Sequence, residues 1–497
     1  MPRLSKSRFQ TGLQCHKALW LGSHRPDLKD PIGESQQHIF DTGTNVGELA
    51  RERFADGVLV EEDHLHSAQA LETTRRLLED SPAAIFEAAL QFGGVMVRAD
   101  ALVRIGDDGW DLYEVKSTTK LKDVHITDLA IQVWVLERAG LRIRHAYLMH
   151  LDNTYVYAGG EYDLERLFIA EDATQSVRDY LPAVPALVAE MTSVLEGLEP
   201  QVPIGRRCDS PYTCGFYGYC HAGMPEHPVT ALPRISAGTL GALIADGILA
   251  IEDVPADYPG LTAPQRTTCE LVRSGTREIV GDVASSLEPL SYPIHFLDFE
   301  SFNSALPLFP GMHPWQQVPF QWSDHILHAN GDLEHREFLY DGAGDPRETF
   351  ARSLVDALGG EGSAVVYSSF ESTRLNELAR DLPEYGKAIA AILPRLFDLE
   401  KVVKAHVRCA ECLGATSVKV VLPALVPDLS YDGLEIAHGD LAALRYVGCI
   451  TGTTIGPERE QVMSDLRAYC GTDTLAMVRL LDAIRTEAAQ DSERQAG

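Results

Sequence analysis

The alternation of apolar and polar residues indicates a β-hairpin in the first half of the chain. Residues 93–105, GGVMVRADALVRI, alternate and are rich in valine; a GDDG turn follows, and WDLYEVKS runs back. Residues 123–140 then repeat apolar positions at helical spacing and end in glycine. We expect two more strands at 143–151 and 154–160. Strands and helices are mixed, which predicts an α/β unit.

Two helical segments are expected upstream of this hairpin. Residues 41–57, DTGTNVGELARERFADG, predict a loop that enters a helix. Residues 61–80 are polar and have helical spacing, and Pro82 ends that segment. The hairpin is therefore expected to follow helical structure.

The second half of the chain carries its own set of strands. Residues 292–301, YPIHFLDFES, predict an apolar strand, and residues 318–340 predict a hairpin around an Asn-Gly turn. SAVVYSS, residues 363–369, predicts a short buried strand, and residues 468–481 predict a helix. We therefore expect a second α/β unit here.

A proline-containing stretch separates the two halves. Residues 224–233, MPEHPVTALP, predict a linker, and residues 235–275 predict a small helical unit with tight glycine turns. A chain of 497 residues is long enough for roughly two to four domains. The predicted domains comprise residues 1–225, 226–288 and 289–497.

Composition and charge narrow the class of protein. Hydrophobic residues make up 45% and charged residues 23%, as in ordinary globular proteins. No apolar run approaches the ~20 residues that span a bilayer, and the basic N-terminus lacks an apolar signal region. We therefore expect no membrane association and a cytoplasmic location. The net charge of −29 argues against general coating of nucleic acid, but it permits an enzyme with a local basic groove.

The predicted hairpin of the first half carries the first candidate site. Asp100 lies on its first strand, and Glu114 and Lys116, two positions apart on the second, project from one face. Carboxylates on one face repel each other unless a divalent cation neutralises them, and a lysine can stabilise charge at a phosphate. Gln132, in the apolar helix that follows, needs a polar partner, which is the site or another group in the core. Glu48 is a candidate third carboxylate or a surface residue of its helix. The alternative is an exposed strand face with a salt bridge.

The cysteines supply the second candidate site. Cys208, Cys214 and Cys220 are evenly spaced in RRCDSPYTCGFYGYC, and Cys15 is the natural fourth thiolate for a four-coordinate metal site. An iron–sulfur cluster, zinc and unligated thiols all remain open. Histidines flank the cysteines as further zinc ligands: His16 and His221. The pair at 409–412 is expected to be structural.

The third candidate site lies in the second half. Asp298 and Glu300 point to the same face of an apolar strand, where unpaired carboxylates would cost several kcal/mol each. A pair of divalent cations neutralises such a group economically. Glu371 opens the helix after a buried strand, and Tyr469 and Asp473 lie on one face of the late helix. A strand-end acidic patch is the alternative.

The first two sites resemble the PD-(D/E)XK nucleases of the RecB type. They also resemble the related iron–sulfur nucleases of the AddAB helicase-nuclease and of CRISPR adaptation. In that family a helix residue, an Asp, a Glu-x-Lys and a helix Gln follow one another, which here corresponds to Glu48, Asp100, Glu114 with Lys116, and Gln132. One cysteine precedes the nuclease core and three follow it. The resemblance implies a restriction-endonuclease-like core, a 4Fe–4S cluster, Mg²⁺ or Mn²⁺, and a DNA substrate.

The third site resembles the DEDD proofreading exonucleases of the RNase H-like fold, in their tyrosine variant. That family implies metal ligation by four carboxylates, with a tyrosine that positions or deprotonates water; the matching residues are Asp298, Glu300, Glu371, Asp473 and Tyr469. Asp398, in LPRLFDLEKV, is an accessory carboxylate or a surface residue.

Together the resemblances cover most of the chain. They point to bacterial RecB-like nucleases that carry a C-terminal domain of formerly unknown function. The expected fold is therefore an α/β multidomain protein with a PD-(D/E)XK core, a small helical middle unit that resembles helix-hairpin-helix modules, and an RNase H-like exonuclease domain. The implied function is metal-dependent hydrolysis of phosphodiester bonds in DNA, single-stranded or at ends.

Two rival functions remain open. The first is a nucleic-acid-binding scaffold with one or both sites degenerate, because Leu136 stands where the family often has Tyr and Glu371 where Asp is usual. The second is an exonuclease directed at RNA. The sequence does not identify protein partners.

Overall fold

The chain forms two compact units. The computed structural model describes residues 4–63 and 65–496, with side chains described as far as residue 490. Unit 1 comprises Met1–Gly223 and Ser304–Gln316, and unit 2 comprises Met224–Asn303 and Gln317–Gly497. Both contain mixed sheets and helices, so the protein is an α/β multidomain protein.

Unit 1 is built on a mixed sheet with helices packed against it. The strands are β1 (Leu4–Ser5), β2 (Gly57–Leu59), β3 (Ala84–Phe92), β4 (Val95–Ile105), β5 (Gly109–Lys116), β6 (Arg142–Leu151) and β7 (Phe168–Asp172). The helices are α1 (Lys6–Gln14), α2 (His16–His24), α3 (Glu34–Arg51), α4 (Ser67–Asp80), α5 (Asp123–Arg138), α6 (Leu164–Leu167), α7 (Thr174–Tyr180), α8 (Val184–Glu196) and α9 (Tyr217–His221). In the described part of this unit, the sheet order is β2-β3-β4-β5-β6-β7, with β1 added in parallel to β4.

The predicted hairpin and the helix after it are confirmed. β4 and β5 pair antiparallel from Ala101↔Tyr113 to Ile105↔Gly109. Helix α5 is apolar on most sides because it is buried in the core of unit 1; Leu129 and Leu136 have no exposed surface. The strand expected at 143–151 is confirmed as β6. The hairpin and α5 together position the first candidate site.

Two predictions for unit 1 were wrong in detail. The segment from residue 41 is not a loop, because α3 already begins at Glu34; its Gly43 and Gly47 lie in the helix and have open space beside them. No strand forms at the described residues 154–160. Tyr157 makes two backbone hydrogen bonds, one with Gly311 and one with Met312, and no ladder continues from them.

Unit 2 contains a second mixed sheet. Its strands are β8 (Arg277–Ile279), β9 (Ile294–Asn303), β10 (Gln317–Leu327), β11 (Leu333–Leu339), β12 (Ser363–Val366), β13 (Leu396–Asp398) and β14 (Val407–Cys409). Its helices are α10 (Ala237–Ala245), α11 (Ala263–Ser274), α12 (Val283–Leu287), α13 (Arg347–Leu358), α14 (Phe370–Asp381), α15 (Gly386–Ile392), α16 (Leu399–His406), α17 (Val418–Leu425), α18 (Gly439–Thr451) and α19 (Gly456–Ala496). The described sheet has the order β11-β10-β9-β12-β13; β9, β10 and β11 are antiparallel, and β12 and β13 run parallel to β9.

Helix α19 is held against the centre of this sheet by buried polar contacts. The Gln321 side-chain amide of β10 donates to the Leu466 carbonyl at 2.9 Å. The Thr474 hydroxyl lies 2.8 Å from both the Ser323 hydroxyl and His325 Nδ1. These contacts fix the rotation of α19, because each would leave a buried polar group unpaired if the helix turned.

The segment 226–288 lies within unit 2. It has a small hydrophobic cluster of its own, which includes Leu240, Leu243, Ile251 and Cys269. Helices α10 and α11 of this segment agree with the predicted helical character. Cys409 and Cys412 form a disulfide. Every helix described in the structure is too short or too polar to cross a membrane.

Candidate functional site

In unit 1 the hairpin and the first turn of α1 bring charged side chains together. Glu114 accepts hydrogen bonds from Lys116 Nζ at 2.5 Å and from Lys6 Nζ at 2.9 and 3.0 Å. Asp100 Oδ2 accepts from the Val115 backbone N–H at 2.7 Å, and its Oδ1 lies 3.9 Å from Lys6 Nζ. The predicted residues Asp100, Glu114 and Lys116 therefore meet, joined by a lysine that the sequence did not single out.

The surroundings shift the pKa values of Asp100 and Glu114 in opposite directions. Burial and repulsion from Glu114 raise the pKa of Asp100 to about 7. Burial also disfavours the charged form of Glu114, but Lys116 and Lys6 outweigh it and hold the pKa of Glu114 well below its usual range. Glu114 is thus ionised at neutral pH, and Asp100 is close to its titration midpoint.

Helix α5 completes this group with two polar side chains. Gln132 Nε2 donates to Glu114 Oε2 at 2.7 Å, which supplies the polar partner expected for that glutamine. One turn earlier, Asp128 Oδ2 lies 3.0 Å from Lys116 Nζ. Asp128 Oδ1 and Gln132 Oε1 are buried acceptors with no hydrogen-bond partner among the described residues. Leu136 is buried in the core and offers no polar contact to a substrate.

The charged group opens into a cavity of about 390 Å³. Its wall includes Gly43, Gly47 and Arg51 of α3. Glu48 is exposed and does not line this cavity, because the next residue of a helix is rotated by about 100° from Gly47. The structure therefore does not bring Glu48 to Asp100 and Glu114.

Another carboxylate, Glu87, faces the cavity in its place. Glu87 lies in β3 between Phe86 and Ala88, which pair with Ala101 and Ala99 of β4 in one register, and its φ of 55° places its backbone in the left-handed region. Arg51 and Arg98 lie 3.5 and 3.4 Å from its carboxylate oxygens. Backbone strain of this kind persists only where surrounding contacts fix it. The left-handed backbone of Glu87 leaves no signal in the alternation of the strand, so the sequence did not reveal this residue.

The four candidate cysteines line a narrow cavity of unit 1. Cys15 is the residue between α1 and α2, and the Cys214 N–H donates to the Cys208 carbonyl at 2.8 Å. Burial raises the pKa of Cys208, Cys214 and Cys220, and the neighbouring thiols raise it further. Among the described residues, these thiols are not part of any set of three ligand atoms that all lie within 4.8 Å.

In unit 2 three carboxylates converge. Asp298 and Glu300 of β9 and Asp473 of α19 each place an oxygen within 4.8 Å of the others. Glu300 and Asp473 are buried, and Asp298 is partly buried. Alternate residues of β9 face α19, so the Asp-x-Glu spacing puts both side chains on the helix side of the strand. Three of the five predicted residues of this site therefore come together as one group, called the trio below.

Glu371 lies beside this trio, at the start of α14. It is 2% exposed, and its Oε2 has no hydrogen-bond partner in the described part of the chain. Burial, with added repulsion from Asp398 and Asp473, raises the pKa of Glu371 to about 8. Asp398 itself caps α16 by accepting from the Glu400 N–H at 3.0 Å. Asp398 is thus accounted for as a helix cap.

A lysine and two tyrosines border the trio. Lys419 Nζ donates to the Tyr469 hydroxyl at 2.8 Å and to the Ala437 carbonyl at 2.7 Å. The Tyr431 hydroxyl donates to Asp473 Oδ1 at 2.5 Å. Lys419 and Tyr431 were not predicted. Lys419 comes from α17 and Tyr431 from the loop after it, and neither position has a local signal beyond its residue type.

The carboxylates of the trio raise one another's pKa, whereas Glu114 is balanced by Lys6 and Lys116. Burial raises the pKa of Asp298 well above its usual range, and Asp473, Glu300 and Glu371 raise it further. Burial and Asp473 likewise raise the pKa of Glu300. Burial raises the pKa of Asp473 to about 6, although Tyr431 and Lys419 oppose the increase. Such a group favours the binding of protons or of a divalent cation.

Comparison with known proteins gives one family match. A family model described as "Domain of unknown function (DUF2779)" matches residues 295–417, about a quarter of the chain. The match includes Asp298, Glu300 and Glu371 and ends before Tyr469 and Asp473.

Two similar curated proteins come from Ureaplasma and Mycoplasma species. Uncharacterized protein UU173 of Ureaplasma parvum serovar 3 is 28% identical over 265 residues, which cover 48% of this chain and 38% of that protein. The uncharacterized MG366 homolog of Mycoplasma pneumoniae is 28% identical over 210 residues, which cover 37% and 31%. The chain spans about a third to two fifths of the length of these relatives.

Proposed function

We propose that unit 2 is a metal-dependent nuclease that hydrolyses phosphodiester bonds of DNA. The observation that carries this proposal is the convergence of Asp298, Glu300 and Asp473, whose ligand oxygens lie within 4.8 Å of one another. Mg²⁺ is bound in proteins through carboxylate oxygens. Three such oxygens this close together offer a ligand set for a single hard cation, and Glu371 lies beside them.

The donor set fits Mg²⁺ or Mn²⁺. When bound, such an ion would neutralise phosphate charge and lower the pKa of an attacking water. The protein's own residues position the rest. Tyr431 fixes one oxygen of Asp473, and Lys419 holds the Tyr469 hydroxyl, which is then oriented to contact a water or a substrate oxygen. Glu371 has an unpaired oxygen that can accept from that water.

The arrangement also supports the finer resemblance to tyrosine-type DEDD exonucleases and their RNase H-like fold. The Asp-x-Glu pair lies on the central strand β9, Glu371 follows β12 at the start of α14, and α19 carries Tyr469 and Asp473. The order of elements is the one that the resemblance requires. We also propose that the protein is located in the cytoplasm.

Unit 1 supports a second candidate, a RecB-type PD-(D/E)XK nuclease site. The favouring observation is that Asp100, Glu114, Lys116 and Gln132 meet at one cavity. The saturation of Glu114 by hydrogen bonds does not fit a cation in this arrangement, so no metal step is derived there.

We propose a 4Fe–4S cluster, rather than zinc, for the four cysteines of unit 1. Sulfurs around one zinc ion are about 3.8 Å apart, given Zn–S bonds of about 2.3 Å. Thiols that bind the separate irons of a cluster lie farther apart, and the thiols here are spread beyond 4.8 Å in every set of three among the described residues. Burial raises the pKa of Cys220 and Cys208, and the charges of Lys17 and Arg207 oppose that increase.

Cleavage of end-labelled substrates tests the nuclease proposal. The full chain is incubated with single-stranded DNA, double-stranded DNA and RNA, with Mg²⁺, Mn²⁺ or EDTA. We expect metal-dependent cleavage of DNA that Asp298→Asn and Asp473→Asn each reduce by at least about a thousandfold. Asp482→Asn, which changes an exposed carboxylate of the same helix, serves as the matched control.

The outcomes separate the rival functions. Preferential cleavage of RNA would favour the RNA-directed exonuclease. Binding of nucleic acid without cleavage would favour the scaffold. Cleavage that is unaffected by both substitutions would contradict the assignment of the site.

A further inference from the structure

Glu114 of unit 1 has no lone pair left for a metal ion. A carboxylate offers about four acceptor positions. Lys6 takes one on each oxygen, at 2.9 and 3.0 Å, Lys116 takes a second on Oε1, and Gln132 takes a second on Oε2 at 2.7 Å. A divalent cation must therefore displace a donor before it can bind Glu114.

Lys6 is the donor that a cation would have to displace. Its ammonium contacts both oxygens of Glu114 and lies 3.9 Å from Asp100 Oδ1, so it bridges the two carboxylates. A cation shared by Asp100 and Glu114 would occupy this same space. Lys116 donates to Glu114 Oε1 alone and also contacts Asp128 at 3.0 Å.

The chain before and after Lys6 fixes it in this position. Leu4 is 2% exposed and pairs with Val95 of β4. Ser5 caps α1 by accepting from the Arg8 N–H at 3.2 Å, and Lys6 is the first residue of that helix. The Lys6 ammonium is thus delivered by an anchored turn rather than by a free chain end, which reduces the entropy lost in holding it.

The two units also differ in how the negative charge of their carboxylates is balanced. Unit 1 pairs Asp100, Glu114 and Asp128 with two ammonium groups in direct contact. In unit 2, Lys419 donates to a tyrosine hydroxyl and a backbone carbonyl, and the three carboxylates of the trio lie against one another. A dication gains much less from the first group than from the second.

We infer that Lys6 takes the place of a divalent cation between Asp100 and Glu114, so that unit 1 excludes such a cation while the first turn of α1 is in position. Lys6 is therefore an internal competitor of metal at this site. This inference concerns cation binding alone and does not depend on the cleavage reaction proposed for unit 2.

Manganese titration of the full chain tests the inference. The parent protein carries Asp298→Asn and Asp473→Asn, which remove two of the three carboxylates of the trio in unit 2. Binding of Mn²⁺ is measured by calorimetry and by electron paramagnetic resonance in this parent and after Lys6→Met. Each charge-assisted hydrogen bond is worth roughly a factor of ten to a hundred. Because Lys6 makes two such bonds, we expect Lys6→Met to tighten Mn²⁺ binding by about a hundredfold or more.

Three further variants locate the gain and guard against misfolding. Lys6→Arg keeps the positive charge and should gain nothing. Glu114→Gln, added to Lys6→Met, should abolish the gain. Lys6→Gln removes the charge but keeps a donor to Glu114, and it should also gain affinity. Lys6→Met should melt at a lower temperature than the parent without metal and recover with Mn²⁺, since a ligand that binds only the folded state stabilises it.

The inference is overturned by either of two results. One is tight binding of Mn²⁺ by the parent at unit 1, equal to that of Lys6→Met. The other is the absence of any gain in both Lys6→Met and Lys6→Gln when hydrogen exchange shows that β5 is folded. Both results are independent of DNA cleavage, so the failure of this inference and the failure of the nuclease proposal are distinguishable.

Discussion

Replacing Asp473 by asparagine should make unit 2 more stable, not less, in the absence of metal. The pKa of Asp473 is about 6 rather than 3.8, because burial disfavours its charged form. One pH unit corresponds to about 1.4 kcal/mol, so the ionised carboxylate lowers the stability of the folded state by about 3 kcal/mol at pH 8. The asparagine amide removes this charge and keeps an oxygen that accepts from Tyr431.

The sign of the pH dependence follows from the direction of that pKa. The folded pKa lies above the unfolded one, so the folded state binds more protons between pH 3.8 and about 6. Stability is therefore present below the unfolded value and lost as the pH rises through the folded value. The advantage of Asp473→Asn should be small near pH 4 and reach its full size of about 3 kcal/mol above pH 7.

Hydrogen exchange followed by mass spectrometry measures this effect locally. Peptides of β9, Ile294–Asn303, report the opening of unit 2, to which this strand belongs. The wild type, Asp473→Asn and the exposed control Asp482→Asn are compared in EDTA from pH 5 to pH 8, and then with Mn²⁺. Metal should stabilise the wild type most at high pH. Equal stability of wild type and Asp473→Asn at pH 8, or a gain that does not vary with pH, would refute the reasoning.

Three further predictions address the other candidate residues. Glu371→Gln should lower the single-turnover rate of DNA cleavage by roughly a hundredfold, because one unpaired acceptor at the trio is lost, while calorimetry still detects Mn²⁺ at the trio. Cys214→Ser should remove visible absorbance and iron from anaerobically purified protein, whereas Cys269→Ser, a buried thiol of unit 2, should keep both. Lys116→Ala should abolish any cleavage that survives Asp298→Asn; persistence of that activity in the double variant would exclude unit 1 as its source.

Much of each candidate site could be predicted because its spacing is local. Glu114 and Lys116 share a strand face through the two-residue period, and Asp298 and Glu300 share one for the same reason. Gln132 was recognisable as a polar residue in an apolar helix. Asp128, four residues earlier on that helix, carries the same signal and could have been found with it.

The remaining site residues depend on tertiary contacts that leave no local pattern. Lys6 reaches Glu114 across 108 positions of sequence, and Lys419 reaches Tyr469 across 50. Glu48 was predicted at the site but does not line the cavity. The face of α3 that lines the cavity includes the preceding residue, Gly47. Helical phase could be assigned only once the start of α3 was known.

Helix α1 connects the two candidate sites of unit 1, the carboxylate group and the cysteine set. Its first residue, Lys6, sits on Glu114, and the residue after its last, Cys15, belongs to the thiol set. A nine-residue helix is a rod of about 13 Å at about 1.5 Å per residue. Because one short helix separates the two residues, we expect a displacement of Cys15 to change the position of the Lys6 ammonium as well. By thermodynamic reciprocity, a cation that displaced Lys6 would then affect the thiol end to the same extent.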